Sequence, residues 1–162
     1  MGGRNPTLFI KGFMKPTKII IHCTDSPNGK VYPISQLEKD HKARGFKTIG
    51  YHGVIQPDGE YTQTRPFNEI GAHCRGENET SIGISLVGSD KFPQVQLDVL
   101  RYKLDGIFMV YNIPKWAVYC HYQFKSAQDQ GKTCPNIPIN QLLFWYWSHD
   151  DKILNDFILR KV

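Results

Sequence analysis

Two histidines and a cysteine in this chain have the residue types and positions of metal ligands. His22 and His121 each stand at the end of a short apolar run typical of a buried strand, and Cys134 follows in the loop after the second run. Two imidazole nitrogens and one thiolate are a common partial ligand set for zinc, and three protein ligands leave a fourth position open to water. Zinc lowers the pKa of a bound water to about 7, which would supply a nucleophile for hydrolysis.

The spacing of these residues does not by itself establish a metal site. His121 and Cys134 are 13 residues apart, and this separation matches no compact zinc-finger pattern. A histidine at a strand end is commonly a hydrogen-bonded structural residue, and the loop before Cys134 is also compatible with a surface turn or a disulfide-bonded loop. On the pattern alone, these alternatives stay open. Three other histidines are interpreted as structural or surface residues: His41, His52 and His149.

The elements that would position these residues alternate between strand and helix. β-Branched, turn-bounded runs predict strands or a hairpin in "TKIIIHCT", "YHGVIQPDGEYTQTRP", "SIGISLVG" and "WAVYCH". Apolar residues at helical spacing predict helices in "ISQLEKDHKARGF", stopped by Gly45, and "PQVQLDVLRYKLDGIFMVYN", and two more in "INQLLFWYW" and "DKILNDFILRKV". We therefore predict one α/β domain with a central mixed sheet flanked by helices.

The predicted domain occupies residues 17–162 and ends in a helical tail, whose apolar stripe would close the core: Ile153, Leu154, Phe157 and Ile158. Residues 1–16 are predicted to be an extension that precedes the domain. If the strands ending in His22 and His121 lie side by side in parallel, both imidazoles emerge at one edge of the sheet. Cys134 could then fold back to supply a thiolate at the same edge.

The charge of the protein restricts the choice of partner only a little. The net charge of +5 and the pI near 9.0 suit an anionic partner such as nucleic acid, a membrane surface or a cell-wall polymer. The basic residues are scattered, so we expect no nucleic-acid binding. No apolar run is long enough for a membrane span, and "TLFIKGFM" lacks the features of a secretion signal. We expect the four cysteines to be free thiols in a protein made in a reducing cytosol, because a chain of 162 residues needs no disulfide staples.

Four segments in order resemble one enzyme family. "IIIHCTDS", "GYHGVIQPDG", "IGAHCRGENETSIGISLVG" and "CHYQF…GKTCP" are similar to the landmarks of the type 2 N-acetylmuramoyl-L-alanine amidases. That family includes the small amidase lysozymes of podophages, and the peptidoglycan recognition proteins share its fold. The resemblance extends from about Lys18 to Pro135, nearly the whole predicted domain.

The resemblance implies roles for individual residues. It implies one zinc ion per chain, held by three ligands: His22, His121 and Cys134. Tyr51 would lie beside the attacking water, Lys132 would steady the developing oxyanion, and His73 would contact substrate at the rim of the cleft. The loop containing "SAQDQG" looks longer than in the phage relatives, so Lys132 is aligned only by its distance from the cysteine.

The function implied is hydrolysis of the amide bond between N-acetylmuramic acid and L-alanine in bacterial peptidoglycan. We expect a monomeric endolysin of a phage or prophage, made in the cytoplasm and acting on the cell wall after release through a holin or after external delivery. One alternative is a non-catalytic peptidoglycan-binding module, although such proteins typically lack the cysteine that stands here as Cys134. Another is an amidase that also regulates a partner such as an RNA polymerase.

Overall fold

The order of strands and helices follows the sequence prediction. The computed structural model describes residues 14–142. Within that range the elements are β1 (Lys18–Cys23), α1 (Ile34–Ala43), β2 (Gly53–Ile55), β3 (Tyr61–Gln63), β4 (Ser81–Leu86), α2 (Gln94–Tyr111), β5 (Val118–Cys120) and α3 (Lys125–Gln128). Residues 139–142 are also helical. The rest of the two predicted C-terminal helices, with the tail's apolar stripe and His149, lies outside the described residues.

The strands form one mixed sheet in the order β3-β2-β4-β1-β5. β1 lies between β4 and β5 and is parallel to both, β2 is parallel to β4, and the β2–β3 hairpin supplies the antiparallel pair. The β-branched residues predicted as buried strands therefore occupy the centre of the sheet, where both faces are covered. This arrangement confirms the predicted α/β fold with a mixed sheet.

One face of the sheet packs against α2. Successive side chains of a strand point to opposite faces, and alternate residues of the strands join the buried apolar residues of α2 in the larger core: Ile19, Ile21, Ile82, Ile84, Leu86, Leu100, Leu104 and Ile107. The buried Gln96 side chain of α2 donates to the carbonyls of Ile55 and Val87, at 2.8 and 3.0 Å. Hydrogen bonds to backbone thus hold α2 in register against the ends of β2 and β4.

The opposite face carries a smaller core and the polar groups of the site. Leu37 of α1 packs there with Ile49, Val54 and Val87. The helix ends where predicted, because Gly45 has a φ of 90°, a left-handed conformation that suits glycine just after a helix. Since α1 covers only part of this face, the rest is left for the loop before β4 and for the strand-end histidines.

The segment after β5 is more regular than predicted. It was expected to be a polar loop, but His121–Gln123 form a 3-10 turn and Lys125–Gln128 form α3. Ala127 is fully buried, and the Phe124 ring packs at 5.6 Å from that of Tyr119. A single turn anchored by two apolar side chains is too short to show helical periodicity in the sequence.

Two further observations bear on the chain ends and on membranes. Met14 is buried in the larger core, and its N–H donates to the Asn68 carbonyl at 2.7 Å, so packing begins upstream of Thr17.

Among residues 14–142, none of the helices has the length and apolar character needed to cross a membrane.

Candidate active site

The three predicted metal ligands converge at the carboxyl-terminal edge of the sheet. His22 is the fifth residue of β1, and His121 directly follows β5, which pairs with β1 so that Ile21 faces Cys120. The two imidazole centroids are therefore only 4.4 Å apart. With Cys134, they place one potential ligand atom each within 4.8 Å of the others.

Backbone hydrogen bonds hold Cys134 in place, one at its sulfur and one at its carbonyl. The Cys23 N–H at the end of β1 donates to Cys134 Sγ at 3.0 Å. The last residue of β1 that pairs with β5 is Ile21. The Cys134 sulfur therefore lies beside Cys23, at a position that a longer β5 would have occupied. The Tyr122 N–H donates to the Cys134 carbonyl at 3.1 Å. The loop from His121 to the cysteine is thereby closed back onto the sheet edge.

The electrostatics of the site favour neutral imidazoles. Burial, together with the neighbouring imidazole of His73, holds the pKa of His22 well below its ordinary value. Burial and the nearby Lys132 ammonium also lower the pKa of His121. Neutral imidazole is the form that binds a metal ion, so both rings are ready to act as ligands near neutral pH.

The donor set fits a zinc ion. Without a metal, the hydrogen-bonded Cys23 side chain and burial raise the pKa of the Cys134 thiol. A cation at this position would favour the thiolate, and its binding would release the thiol proton. The Cys23 N–H already points at the sulfur and would stabilise that negative charge. Two neutral imidazoles and a thiolate with its own backbone donor match the chemistry of a three-ligand zinc site.

Tyr51 lies beside the metal ligands. Its ring centroid is 5.1 Å from that of His22, at an interplanar angle of 49°. The Thr64 hydroxyl donates to the Tyr51 carbonyl at 2.7 Å, which anchors the backbone of Tyr51 in the segment that leads into β2. Burial raises the pKa of the Tyr51 phenol, so the hydroxyl keeps its proton near neutral pH and acts as a hydrogen-bonding group.

Lys132 is at the open side of the site. Its side chain is exposed, and its backbone N–H donates to the Ala127 carbonyl of α3 at 2.9 Å. The ammonium is near enough to His121 to lower the pKa of that imidazole. α3, absent from the sequence prediction, therefore fixes the backbone of Lys132 next to the ligand cluster.

His73 contacts a ligand histidine directly. Its Nδ1 is 3.0 Å from His22 Nε2, and its Nε2 is 3.3 Å from the Ser81 carbonyl oxygen. Burial, with His52 nearby, lowers the pKa of His73 to about 3. The prediction that this residue binds substrate at the rim of the cleft remains a prediction.

Two histidines interpreted as structural have structural hydrogen bonds. The Gly83 N–H donates to Nδ1 of His52 at 3.0 Å, and His52 Nε2 donates to the Glu69 carbonyl at 2.8 Å. The Gly50 N–H donates to Nδ1 of the buried His41 at 3.1 Å. The His52 ring thus ties the loop at Glu69 to β4, and the His41 ring ties the loop at Gly50 to α1.

The cysteines and glycines around the site add two points. All four cysteines are free, as predicted. Gly83 on β4 leaves room for the His73 ring to lie directly against the strand: a Cβ at Gly83 would lie 2.5 Å from His73 Cγ. Two parts of the site are identified as functional by no residue pattern: the backbone N–H of Cys23, and the space beside Gly83 that the His73 ring occupies, called the slot at Gly83 below.

Comparison with known proteins agrees with the family resemblance seen in the sequence. Residues 12–137 match the family model described as N-acetylmuramoyl-L-alanine amidase. The endolysin of Escherichia phage T7 is 25% identical over 146 residues, covering 85% of this chain and 89% of the relative.

Solved structures show the same likeness. The N-acetylmuramoyl-L-alanine amidase LysC from Clostridium intestinale is 27% identical with a TM-score of 0.69, covering 80% of this chain and 83% of that chain. Wild-type PGRP-LB from Drosophila is 27% identical with a TM-score of 0.65, covering 77% and 78%.

Proposed function

Because the chain belongs to the N-acetylmuramoyl-L-alanine amidase family, we propose that it is a zinc-dependent amidase. Its substrate would be the amide bond between N-acetylmuramic acid and L-alanine in bacterial peptidoglycan. The observation that carries the proposal is the convergence of three ligand atoms, from His22, His121 and Cys134, within 4.8 Å of one another. His22 lies far from the other two residues in the sequence, and the parallel pairing of β1 with β5 brings its ring to the same sheet edge as His121.

Two residues around the cluster supply further requirements of amide hydrolysis. When bound, zinc acts as a Lewis acid that activates water and polarises a carbonyl. The Tyr51 phenol, protonated and 5.1 Å from the His22 ring between centroids, is placed to orient the attacking water through a hydrogen bond. The Lys132 ammonium, on the open side beside His121, is placed to stabilise negative charge on the carbonyl oxygen as it develops.

The presence of all three ligands supports catalysis over simple wall binding. A binding module needs no thiolate, whereas Cys134 here is half-buried with a backbone donor aimed at its sulfur. The match to the T7 endolysin spans most of both chains. We propose that this protein is also an endolysin, which acts on the cell wall after leaving the cytoplasm.

The test is to identify the bond that is cut. Purified peptidoglycan is digested with zinc-loaded protein, and the soluble products are analysed by mass spectrometry. Amidase activity releases free stem peptides that begin with L-alanine and leaves glycan strands that carry a free lactyl carboxylate. New reducing sugar ends without free peptides would show a glycosidase and contradict the proposal.

Cys134→Ser provides the matched control. It replaces one sulfur with oxygen at the ligand position, so hydrolysis should be lost while the fold is kept. Absence of cleavage by the zinc-loaded wild-type protein, with peptidoglycan still pulled down in sedimentation, would support the binding-module alternative.

A further inference from the structure

The contact between His73 and His22 lies behind the metal ligands. His73 belongs to the loop between β3 and β4, and its ring lies against β4 on the face of the sheet that carries His22. The two rings meet edge to face, with centroids 5.0 Å apart and an interplanar angle of 88°. This geometry aims a nitrogen of one ring at a nitrogen of the other.

The contact of the other His73 nitrogen with the Ser81 carbonyl determines which of the two histidines donates this hydrogen bond. A carbonyl oxygen only accepts hydrogen bonds, so His73 Nε2, at 3.3 Å from the Ser81 carbonyl, is the nitrogen that carries the proton. A neutral imidazole has one N–H, which leaves His73 Nδ1 as an acceptor. His22 Nε2, at 3.0 Å from it, must therefore be the donor.

This hydrogen bond determines the protonation of the other ring nitrogen of His22, Nδ1. With its single proton on Nε2, the neutral His22 ring has its lone pair on Nδ1. We propose that His73 is a positioning residue that accepts the Nε2 proton of His22 and so presents Nδ1 of His22 to the metal. This inference rests on the proposed zinc site, and partners of this kind commonly fix the tautomer and orientation of a ligating histidine.

The protein provides a slot for the His73 ring. A Cβ at Gly83 would lie 2.5 Å from His73 Cγ, and a Cβ at Gly71 would lie 2.6 Å from His73 Cδ2. Cβ atoms essentially never approach other atoms this closely, so both positions leave room for the ring only as glycine. The backbone of His73 is also fixed, because its backbone N–H donates to the Asn78 side-chain oxygen at 2.8 Å.

The same contacts argue against a direct role in substrate binding. Both nitrogens of His73 have partners within the protein, His22 on one side and the Ser81 carbonyl on the other. His52, which packs 5.6 Å from His73 between ring centroids, differs because both of its nitrogens bond to backbone. Of these two neighbouring rings, His73 is the one that reaches a metal ligand.

The first experiment reads the tautomer directly. In the metal-free wild-type protein labelled with ¹⁵N, long-range proton–nitrogen correlation spectra distinguish a protonated ring nitrogen from one with a free lone pair. We expect His22 to be protonated on Nε2 with a free lone pair on Nδ1, and His73 to show the same pattern. Protonation of His22 on Nδ1 would overturn the proposal, and this result depends on no variant and on no metal.

The second experiment measures metal affinity. His73→Leu removes the acceptor and should weaken zinc binding about 10–100-fold, the usual effect of losing such a partner. His73→Asn should restore most of the affinity, because its side-chain oxygen takes nearly the position of Nδ1. Ser81→Ala removes a hydroxyl that donates to the Glu77 carbonyl at 2.7 Å and lies 3.5 Å from His73 Nε2, but it leaves the Ser81 carbonyl that accepts from His73, so its zinc affinity should equal that of the wild type.

The zinc affinity of His73→Leu separates the positioning role from a role in substrate binding. If folded His73→Leu binds zinc as tightly as the wild type and only its KM for peptidoglycan rises, His73 contacts substrate and the positioning role is wrong. Zinc affinity is measured by chelator competition without peptidoglycan, so a failure of the proposed amidase activity does not affect it. If His73→Leu does not fold, the wild-type spectra decide the question.

Discussion

The backbone amide of Cys23 donates to the sulfur of Cys134, 111 residues further along the chain, at 3.0 Å. The contribution of Cys23 to this bond is an N–H that every residue except proline has, whereas Cys134 contributes the thiol itself. The two cysteines should therefore respond differently to the same substitution.

Cys134→Ser should lose zinc, while Cys23→Ser should keep it. Loss of a supporting partner costs about 10–100-fold in metal affinity, so loss of the ligand itself should exceed about 100-fold. Cys23→Ser retains the amide donor, and Cys74→Ser and Cys120→Ser alter buried thiols outside the ligand cluster. Chelator competition on the four variants makes the comparison. Equal zinc loss from all four would show a general effect of thiol removal.

The purified protein should carry about one zinc ion per chain, as expected for a single three-ligand site. Elemental analysis by plasma mass spectrometry gives the stoichiometry. Chelation should abolish peptidoglycan hydrolysis, and added zinc should restore it. Full activity of protein shown to be free of metal would contradict the proposed chemistry.

Tyr51→Phe should lower kcat while zinc stays bound. The ring still packs against His22, but the hydroxyl that orients water is gone. General acid–base assistance is typically worth about 10²–10⁴ in rate. Because burial raises the pKa of Tyr51, the phenol is a positioning donor, and we expect a loss near the lower end. Turnover of muropeptides and metal content are measured on the same samples; retention of more than half of kcat would remove Tyr51 from the mechanism.

Lys132→Ala should lower kcat much more than it raises KM, because the ammonium acts on charge that appears only during reaction. The loss of one oxyanion donor typically costs about 10²–10³ in kcat. Lys125→Ala is a matched control, since Lys125 is an exposed lysine paired with Asp129 at 2.8 Å on α3. If both variants lose activity equally, the effect reflects surface charge and not a specific role of Lys132.

The metal-free protein should lose stability in mild acid. Burial lowers the pKa of both His41 and His52 to about 4, and the two residues are 3% and 0% exposed. Between about pH 6.5 and pH 4 the unfolded chain binds protons that the folded chain does not. The free energy of unfolding should therefore fall by up to about 1.4 kcal/mol per pH unit for each of these groups.

Urea unfolding at pH 7, 5.5 and 4.5 checks this expectation. His41→Asn keeps an acceptor for the Gly50 N–H but does not titrate, so its stability should depend less steeply on pH than that of the wild type. Identical slopes for the two proteins would show that His41 is protonated without cost in the folded state.

Much of the site could be predicted from the sequence. His22 and His121 stand at the ends of short apolar runs typical of buried strands, the carboxyl ends of parallel strands meet at one edge of a sheet, and the family resemblance pointed to the same two histidines. The thiol of Cys134 is the one soft ligand in the loop that follows. The identity of a ligand residue and the apolar pattern of a strand are local properties of the sequence, so they can be recognised without knowledge of the fold.

Other parts were decided only by tertiary structure. The His73–His22 hydrogen bond spans 51 residues and depends on how the loop before β4 settles into the slot at Gly83. The Cys23 amide is chemically the same as its neighbours and becomes a sulfur donor only because β5 ends opposite Ile21. α3 is a single turn held by tertiary contacts. Sequence specifies which groups are present, but hydrogen-bond partners and tautomers depend on distances that exist only after the sheet register and loop packing are complete.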